Sequence, residues 1–392
     1  MTRVLYIGAG TPWAGGAGYL LRQNLFLEAL AEVAELHLAM FDADGKSQAP
    51  FPCDFTPLPM PRRNYVSKVK LLVDDLLCSE PRMIRGYDLR ESRRAVAALQ
   101  PDKFDAVFAF RIDFAHFAGV LSQPRLILDI DDPEHIRARR RIEATTGKAG
   151  DWRTRRDIEK LKRFEHTAAA GAKISIVCQE TDRQGWPTTP IVVPNCVEIV
   201  ENPVRKPGRP RLLFVGNFAG GDGSPNGDAV LFFLRDIWPA VIKAVPEAEF
   251  QIVGRTSQSV QQLAAGKSNV ILSGFVDDLA DVYAQATAAV APIRFGTGTR
   301  IKILEAFAHT CPVVSTPIGA EGIDAVDGTE IALADGANVF ADRCIELLTN
   351  AELAQKLGRG GYDLAIRRYD RRVEHQRIVQ MLRKFFAETG CA

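Results

Sequence analysis

The chain has 392 residues, more than one hydrophobic core ordinarily serves, so two domains are expected. Its 46% hydrophobic and 25% charged residues exclude a disordered chain, and a net charge of +1 gives no overall drive toward nucleic acid or membrane. The seven cysteines are scattered, odd in number and without a Cys-x-x-Cys pair, which argues against a disulfide framework or a zinc site and for a reducing compartment. No apolar run reaches the length of a membrane span, and residues 4–7 are too short for a signal peptide, so a cytoplasmic location is expected.

Residues 4–7 (Val-Leu-Tyr-Ile) read as a buried first strand, the glycine-rich run from Gly8 to Gly18 as a turn, residues 19–34 as a helix and 36–40 as a second strand, together a βαβ opening. The turn is no standard nucleotide cradle. Trp13 stands where the dinucleotide fingerprint has its third glycine, and Ala17-Gly18 follow Gly15-Gly16 where a P-loop needs Lys-Ser or Lys-Thr. Close backbone approach to a ligand and a turn that needs positive φ both remain open. Residues 50–61 are proline-rich and read as irregular. Helical patterns follow near 66–77 and 89–99, then strands at 106–110 and 126–130. Arg111 and His116, just after the first of these strands, are candidates to face a cleft; a histidine packed between Phe114 and Phe117 is the alternative. The second strand runs into Asp129-Ile-Asp-Asp132. Alternation of faces along a strand argues against convergent ligands, so no metal is expected. Asp131 and Asp132 read as acceptor contacts or as a helix cap before Pro133.

Residues 137–163 hold eleven Lys/Arg against four Asp/Glu in one long helical region. A solvated face and contact with anionic lipid headgroups or a pyrophosphate-linked acceptor are the two readings. Without interleaved aromatics, nucleic acid is not expected. Strands at 174–178 and 191–193 close this half, and the Pro-rich segment 201–210 is the linker candidate. The pattern then restarts: strands at 211–216, 250–254, 270–274 and 289–292 alternate with helical patterns at 229–245 and 279–287, and the chain beyond Gly336 is helical. Two successive α/β halves predict two facing doubly wound, Rossmann-like domains with ligands at the strand C-terminal ends.

The densest window is Arg294 to Pro317. A Gly/Thr loop, Gly296 to Thr299, feeds a helix carrying Arg300, Lys302 and Glu305, followed by a strand at Val313-Val314. The first N–H groups of a helix lack internal partners and the dipole is positive there, so the loop makes an anion site. Two cations at a helix start are unfavourable alone and ask for an anion; Glu305, at the rim of the apolar face of Ile301, Leu304 and Ala308, suits a sugar hydroxyl.

These residues, with Phe214-Val-Gly216, the run from Phe250 to Gly254, the run from Val270 to Leu279, Gly319-Ala-Glu-Gly322 and Pro194-Asn-Cys-Val197, resemble the GT-B glycosyltransferases of the large retaining family 4, group 1. The resemblance implies an acceptor-binding domain at 1–196, a donor-binding domain at 197–370 and a last helix, 371–392, packing back on the first. It implies metal-independent, cofactor-free transfer of a sugar from a nucleotide-sugar, UDP- or GDP-linked, to a glycan, glycolipid or lipid-linked hydroxyl, with retention, in bacterial surface-polysaccharide assembly. Gly16, Gly298, Thr299, Arg300 and Ile301 match the diphosphate-binding backbone, Phe275 and Val276 the frame of the base, and Glu305 the second of the family's paired glutamates. Gly216 and Gly254 lie on the matching strand ends. Thr297 stands where the first glutamate is usual. Asn217 stands where the family often has Arg, with no Lys through Leu234, so Arg300 and Lys302 are expected to supply the charge for the leaving diphosphate. A nucleotide-sugar 2-epimerase, a phosphorylase and a non-catalytic nucleotide-sugar binder are the alternatives, and contact with an anionic membrane is a further expectation.

Overall fold

Two parallel sheets organise the chain. The computed structural model describes residues 2–14, 18–43, 47–64, 68–146, 151–218, 220–267, 269–296 and 298–390, and the chain divides into two compact units, 1–194 with 373–392, and 195–372. Gly16 and Thr297 lie outside the described residues.

The first unit runs β1 (Arg3–Ala9), α1 (Gly18–Ala31), β2 (Glu35–Phe41), β3 (Cys53–Leu58), β4 (Arg62–Arg63), α2 (Lys68–Leu77), β5 (Tyr87–Asp88), α3 (Arg90–Ala98), β6 (Ala106–Phe110), α4 (Ile112–Ala118), β7 (Leu126–Asp131), α5 (Glu134–Thr146), α6 (Trp152–Gly171), β8 (Ile174–Val177) and β9 (Ile191–Val192). Its sheet has the order β3-β2-β1-β6-β7-β8-β9, all parallel. The central strands are apolar on both faces, as a parallel sheet covered by helices requires. The proline-rich stretch expected to be irregular contains β3. Pro57 fits there because β3 is the sheet's edge strand, with a neighbour on one side only, the kind of strand that tolerates proline. The single basic helical region resolves into α5 and α6.

The second unit runs β10 (Arg211–Val215), α7 (Pro225–Phe232), α8 (Trp238–Ala244), β11 (Glu249–Val253), α9 (Gln258–Ala264), β12 (Val270–Gly274), α10 (Ala280–Gln285), β13 (Ala288–Ala291), α11 (Ile301–Ala308), β14 (Val313–Ser315), β15 (Ala332–Leu333), α12 (Ala337–Thr349) and α13 (Ala351–Arg368); α14 (Arg371–Glu388) then carries the chain into the first unit, where His375 lies 3.5 Å from Glu32. The sheet order is β12-β11-β10-β13-β14-β15, again parallel. A π-helical stretch, Phe233–Ile237, joins α7 to α8 and turns Phe233 onto Phe250, with ring centroids 4.3 Å apart. Each such fully buried aromatic contributes about 2–3 kcal/mol. The segment 201–210, read as a linker, belongs to the second unit: the Arg205 guanidinium donates to the carbonyls of Tyr283 and Ala286, and Lys206 N–H to that of Ala284.

Helix α11 is placed by α13. A Cβ on Gly361 would come within 2.4 Å of the Phe307 ring, so only glycine lets the two helices approach this closely.

Candidate functional site

In an open parallel sheet, ligands bind beyond the strand C-termini where strand order reverses. In the second unit the reversal lies between β10 and β13. The segments leaving these strands, 216–224 and 292–300, therefore flank the crevice, with Gly254 after β11 beside them. Gly254 has φ +125°, and a Cβ there would sit 1.9 Å from the Gly216 carbonyl oxygen, so the two strand ends pass in direct backbone contact.

Arg300 is the N-cap of α11, and its own side chain makes no cap hydrogen bond among the described residues. Thr299 is buried, and its hydroxyl has no hydrogen-bond partner among the described residues. Gly298 has φ +78°. The Arg300 guanidinium folds back beneath Gly296, with Nη2 2.6 Å from where a Cβ on that glycine would be. Ile301 packs against the core. Phe275 is 62% exposed, and Val276 beside it is half-buried.

Lys302 reaches the loop that lacks the usual cations. Its Nζ donates to Asn226 Oδ1 at 2.6 Å and lies 4.0 Å from the centre of the Phe214 ring, while Asn226 Nδ2 donates to the Asn217 carbonyl at 2.7 Å. Ser224, whose hydroxyl accepts from Gly227 N–H, caps α7 and places Asn226 in its first turn. Burial first, and Arg300 second, push the Lys302 amine from 10.5 down to about 7; Glu305 opposes them. The folded state therefore holds fewer protons than the unfolded chain between about 7 and 10.5, and this group's contribution to stability rises with pH across that window.

Glu305 stands one turn further along α11. The Tyr283 hydroxyl donates to its Oε2 at 3.3 Å, and that ring stacks on His309 with centroids 5.0 Å apart. Burial raises the Glu305 carboxyl; Tyr283 and Lys302 hold it back. Asn226 and Tyr283 had no signal in the sequence beyond a Ser-Pro helix start and a helical aromatic. Folding alone makes them neighbours of Lys302 and Glu305.

In the first unit the order reverses between β1 and β6. Arg111, at the end of β6, has φ 62° and ψ 144°, and Asp131, at the end of β7, has φ 59°, both costly for residues with a Cβ. Asp113, then Asp131, Glu134 and Asp132, raise the Arg111 guanidinium, so this cation lies among carboxylates. The left-handed turn at Asp131 breaks the alternation on which the sequence argument relied. Asp131, Asp132 and the Cys178 thiol bring ligand atoms within 4.8 Å of one another, and Cys178 Sγ donates to Asp132 Oδ1 at 3.4 Å. Burial and then Asp132 push the Asp131 carboxyl up to about 7. Asp129, in contrast, points inward, in a fork with Arg22 at 2.8 and 2.7 Å. His116 packs edge-on against Phe164 at 5.4 Å and Phe117 at 6.1 Å, and burial, then Arg93, lower it to about 4.

Residues 209–350 match the family model described as glycosyl transferases group 1. The matched segment makes up most of the second unit, which is thus similar to group 1 glycosyl transferases. Over 168 residues the chain is 26% identical to an uncharacterized 44.6 kDa protein in the cps region of Klebsiella pneumoniae; the match covers 41% of this chain and 42% of that one, so it spans about two fifths of that relative's length. Among solved structures, sucrose-phosphate synthase from Thermosynechococcus elongatus is similar with a TM-score of 0.73 at 16% identity, covering 99% of this chain and all (100%) of that one. HepE from Anabaena, in complex with UDP and glucose, is similar with a TM-score of 0.65 at 13% identity, covering 97% and 99%. The two parallel-sheet units are those of the GT-B fold. Within the second unit, the Lys302–Asn226 pair, the start of α11 and Glu305 are polar groups gathered at the crevice among the described residues.

Proposed function

We propose that the protein transfers a sugar from a nucleoside diphosphate sugar to a hydroxyl of a glycan, glycolipid or lipid-linked acceptor, with retention and without a metal ion, in polysaccharide assembly. The observation that carries this reading is the placement of the Lys302 ammonium on Asn226, at the end of the 216–224 loop and at the same crevice as the start of α11, with Glu305 one turn in. The diphosphate takes the amides of α11 and the charge of Arg300 and Lys302, and Glu305 accepts from a ribose hydroxyl. As the anomeric carbon–phosphate oxygen bond breaks, the acceptor oxygen attacks from the same face and its proton passes to the departing phosphate. The protein's part is to stabilise charge on that phosphate. The first unit takes the acceptor, with Arg111, Asp131 and Asp132 as its polar contacts. The cps-region relative supports the polysaccharide assignment, and HepE in complex with UDP supports UDP as the first nucleotide to try.

A thermal-shift screen with UDP-, GDP-, ADP- and dTDP-sugars tests binding, since a ligand of the folded state raises its melting temperature. Turnover with a panel of acceptors then separates transfer from donor epimerisation and from binding alone. Thr297 in place of the family's first glutamate favours the last of these as the competing reading. An inverted anomer in the product, or dependence on a divalent cation, would refute the finer claims. Glu305→Ala is expected to weaken nucleotide binding by about 1.5–3 kcal/mol, with the melting temperature of the free protein little changed. Early unfolding with intact affinity would make Glu305 structural.

The amine at about 7 adds a pH signature. Diphosphate binding favours the ammonium, so affinity should fall as pH rises through 7 and beyond, and binding at pH 8 should take up protons. Calorimetry in buffers of different ionisation enthalpy measures this; no proton uptake in wild type would mean that Lys302 does not face the phosphates.

A further inference from the structure

The C-terminal turn of α2 meets α6 through polar contacts. The Arg156 guanidinium donates to the Leu76 carbonyl at 2.9 Å and Lys160 Nζ to the Asp75 carbonyl at 2.8 Å, while the Asp75 carboxylate is held by Arg82 and Arg85. These bonds hold the end of the helix, and three of its apolar side chains there are open to solvent. Val73, Leu76 and Leu77, spaced i, i+3 and i+4 on one face, are 44%, 44% and 82% exposed. Trp152, one turn before Arg156 on α6, is 49% exposed. Leucines this open are left uncovered by the unit itself.

The rim is cationic. Arg153 lies over the Trp152 ring at 5.5 Å, Arg155 and Arg156 follow, and none of the three forms an ion pair among the described residues. Of the acids nearby, Asp151 caps α6 by accepting from Thr154 N–H, and Asp157 accepts from Arg82 N–H. An apolar stripe beside an exposed tryptophan and a run of arginines is complementary to a surface that is anionic outside and apolar just beneath. No described helix is long and apolar enough to cross a membrane, so the fit is to a bilayer surface.

We propose that the exposed stripe of α2 together with Trp152, rimmed by Arg153, Arg155 and Arg156, docks on an anionic lipid bilayer, with Leu76, Leu77 and Trp152 entering the headgroup layer. This assignment stands independently of the sugar-transfer reading. It locates the membrane contact at the α2–α6 junction, rather than over the whole basic segment.

Co-sedimentation of the full chain with vesicles of phosphatidylglycerol and phosphatidylcholine in equal parts, against phosphatidylcholine alone, tests it. Wild type should bind the anionic vesicles, and added salt should weaken the binding. Arg153→Gln with Arg155→Gln should weaken it about fivefold for each charge removed. Leu76→Asp with Leu77→Asp should abolish binding at low salt while leaving the melting temperature and any nucleotide-induced shift unchanged, which separates failed docking from failed folding or a failed donor site. Absence of wild-type binding overturns the proposal. So does a leucine variant that binds as wild type does, which would leave only charge attraction without insertion. A wild-type dimer that the leucine variant converts to a monomer would assign the stripe to a second copy of the chain and overturn it equally.

Discussion

Lys302→Met is expected to lower the rate of sugar transfer by about a hundred- to a thousand-fold, the usual cost of removing one donor that stabilises transition-state charge. The ammonium lies beside the 216–226 loop, where no other Lys or Arg stands between Gly216 and Leu234, and Asn226 holds it there. Methionine keeps the apolar stem over Phe214, so the core contact survives. The free variant should melt within a few degrees of wild type, because a poorly solvated cation is lost together with one hydrogen bond. Arg300→Ala should also impair transfer more than it weakens binding of the bare nucleoside, and Arg300→Lys should recover only part of the loss, since one ammonium replaces a planar fork. Single-turnover rates and nucleoside affinities for the three variants make the test. Wild-type transfer by Lys302→Met would remove the central element of the donor-site reading.

Asp129→Ala is expected to destabilise the first unit by about 3–5 kcal/mol, the cost of leaving a buried charge without its partner. Arg22 and Asp129 are both buried, joined by two hydrogen bonds, and Arg22 Nη1 also donates to the Val193 carbonyl at 2.8 Å, so the pair ties α1 to β7 and to the segment after β9. Burial alone would lower the Arg22 guanidinium; the charge and hydrogen bonds of Asp129 more than reverse this. Arg22 also lies 3.5 Å from Asp131, so the variant should disturb the strained turn there as well. Denaturant unfolding measures the loss, and Arg22→Met with Asp129→Leu should recover much of it if the penalty is the unpaired charge. A single variant as stable as wild type would show that the pair contributes nothing net.

Most strands and helices were legible because their signals are local. The apolar runs at β1, β6, β7, β10, β11 and β13 and the glycine-to-helix step before α11 lie within a few residues of sequence. The edge strand β3 was not legible, because proline is excluded from strands only where its N–H is needed, and that depends on which strand lies at the edge. The segment 201–210 read as a linker by composition alone, whereas Arg205 secures it to three carbonyls around α10.

The sequence by itself determined the α/β class, the two-sheet division and the glycine-loop-to-helix step that opens α11, since periodicity and glycine placement act between near neighbours. Only the tertiary structure decided which loop the Lys302 ammonium serves, that Tyr283 holds Glu305, that Asp131 and Asp132 turn to the same side as Cys178, and that three apolar residues of α2 remain uncovered. Each of these joins residues between one turn and more than seventy positions apart, or depends on a single backbone angle. Sheet order and helix packing set such distances, and a linear pattern does not encode them.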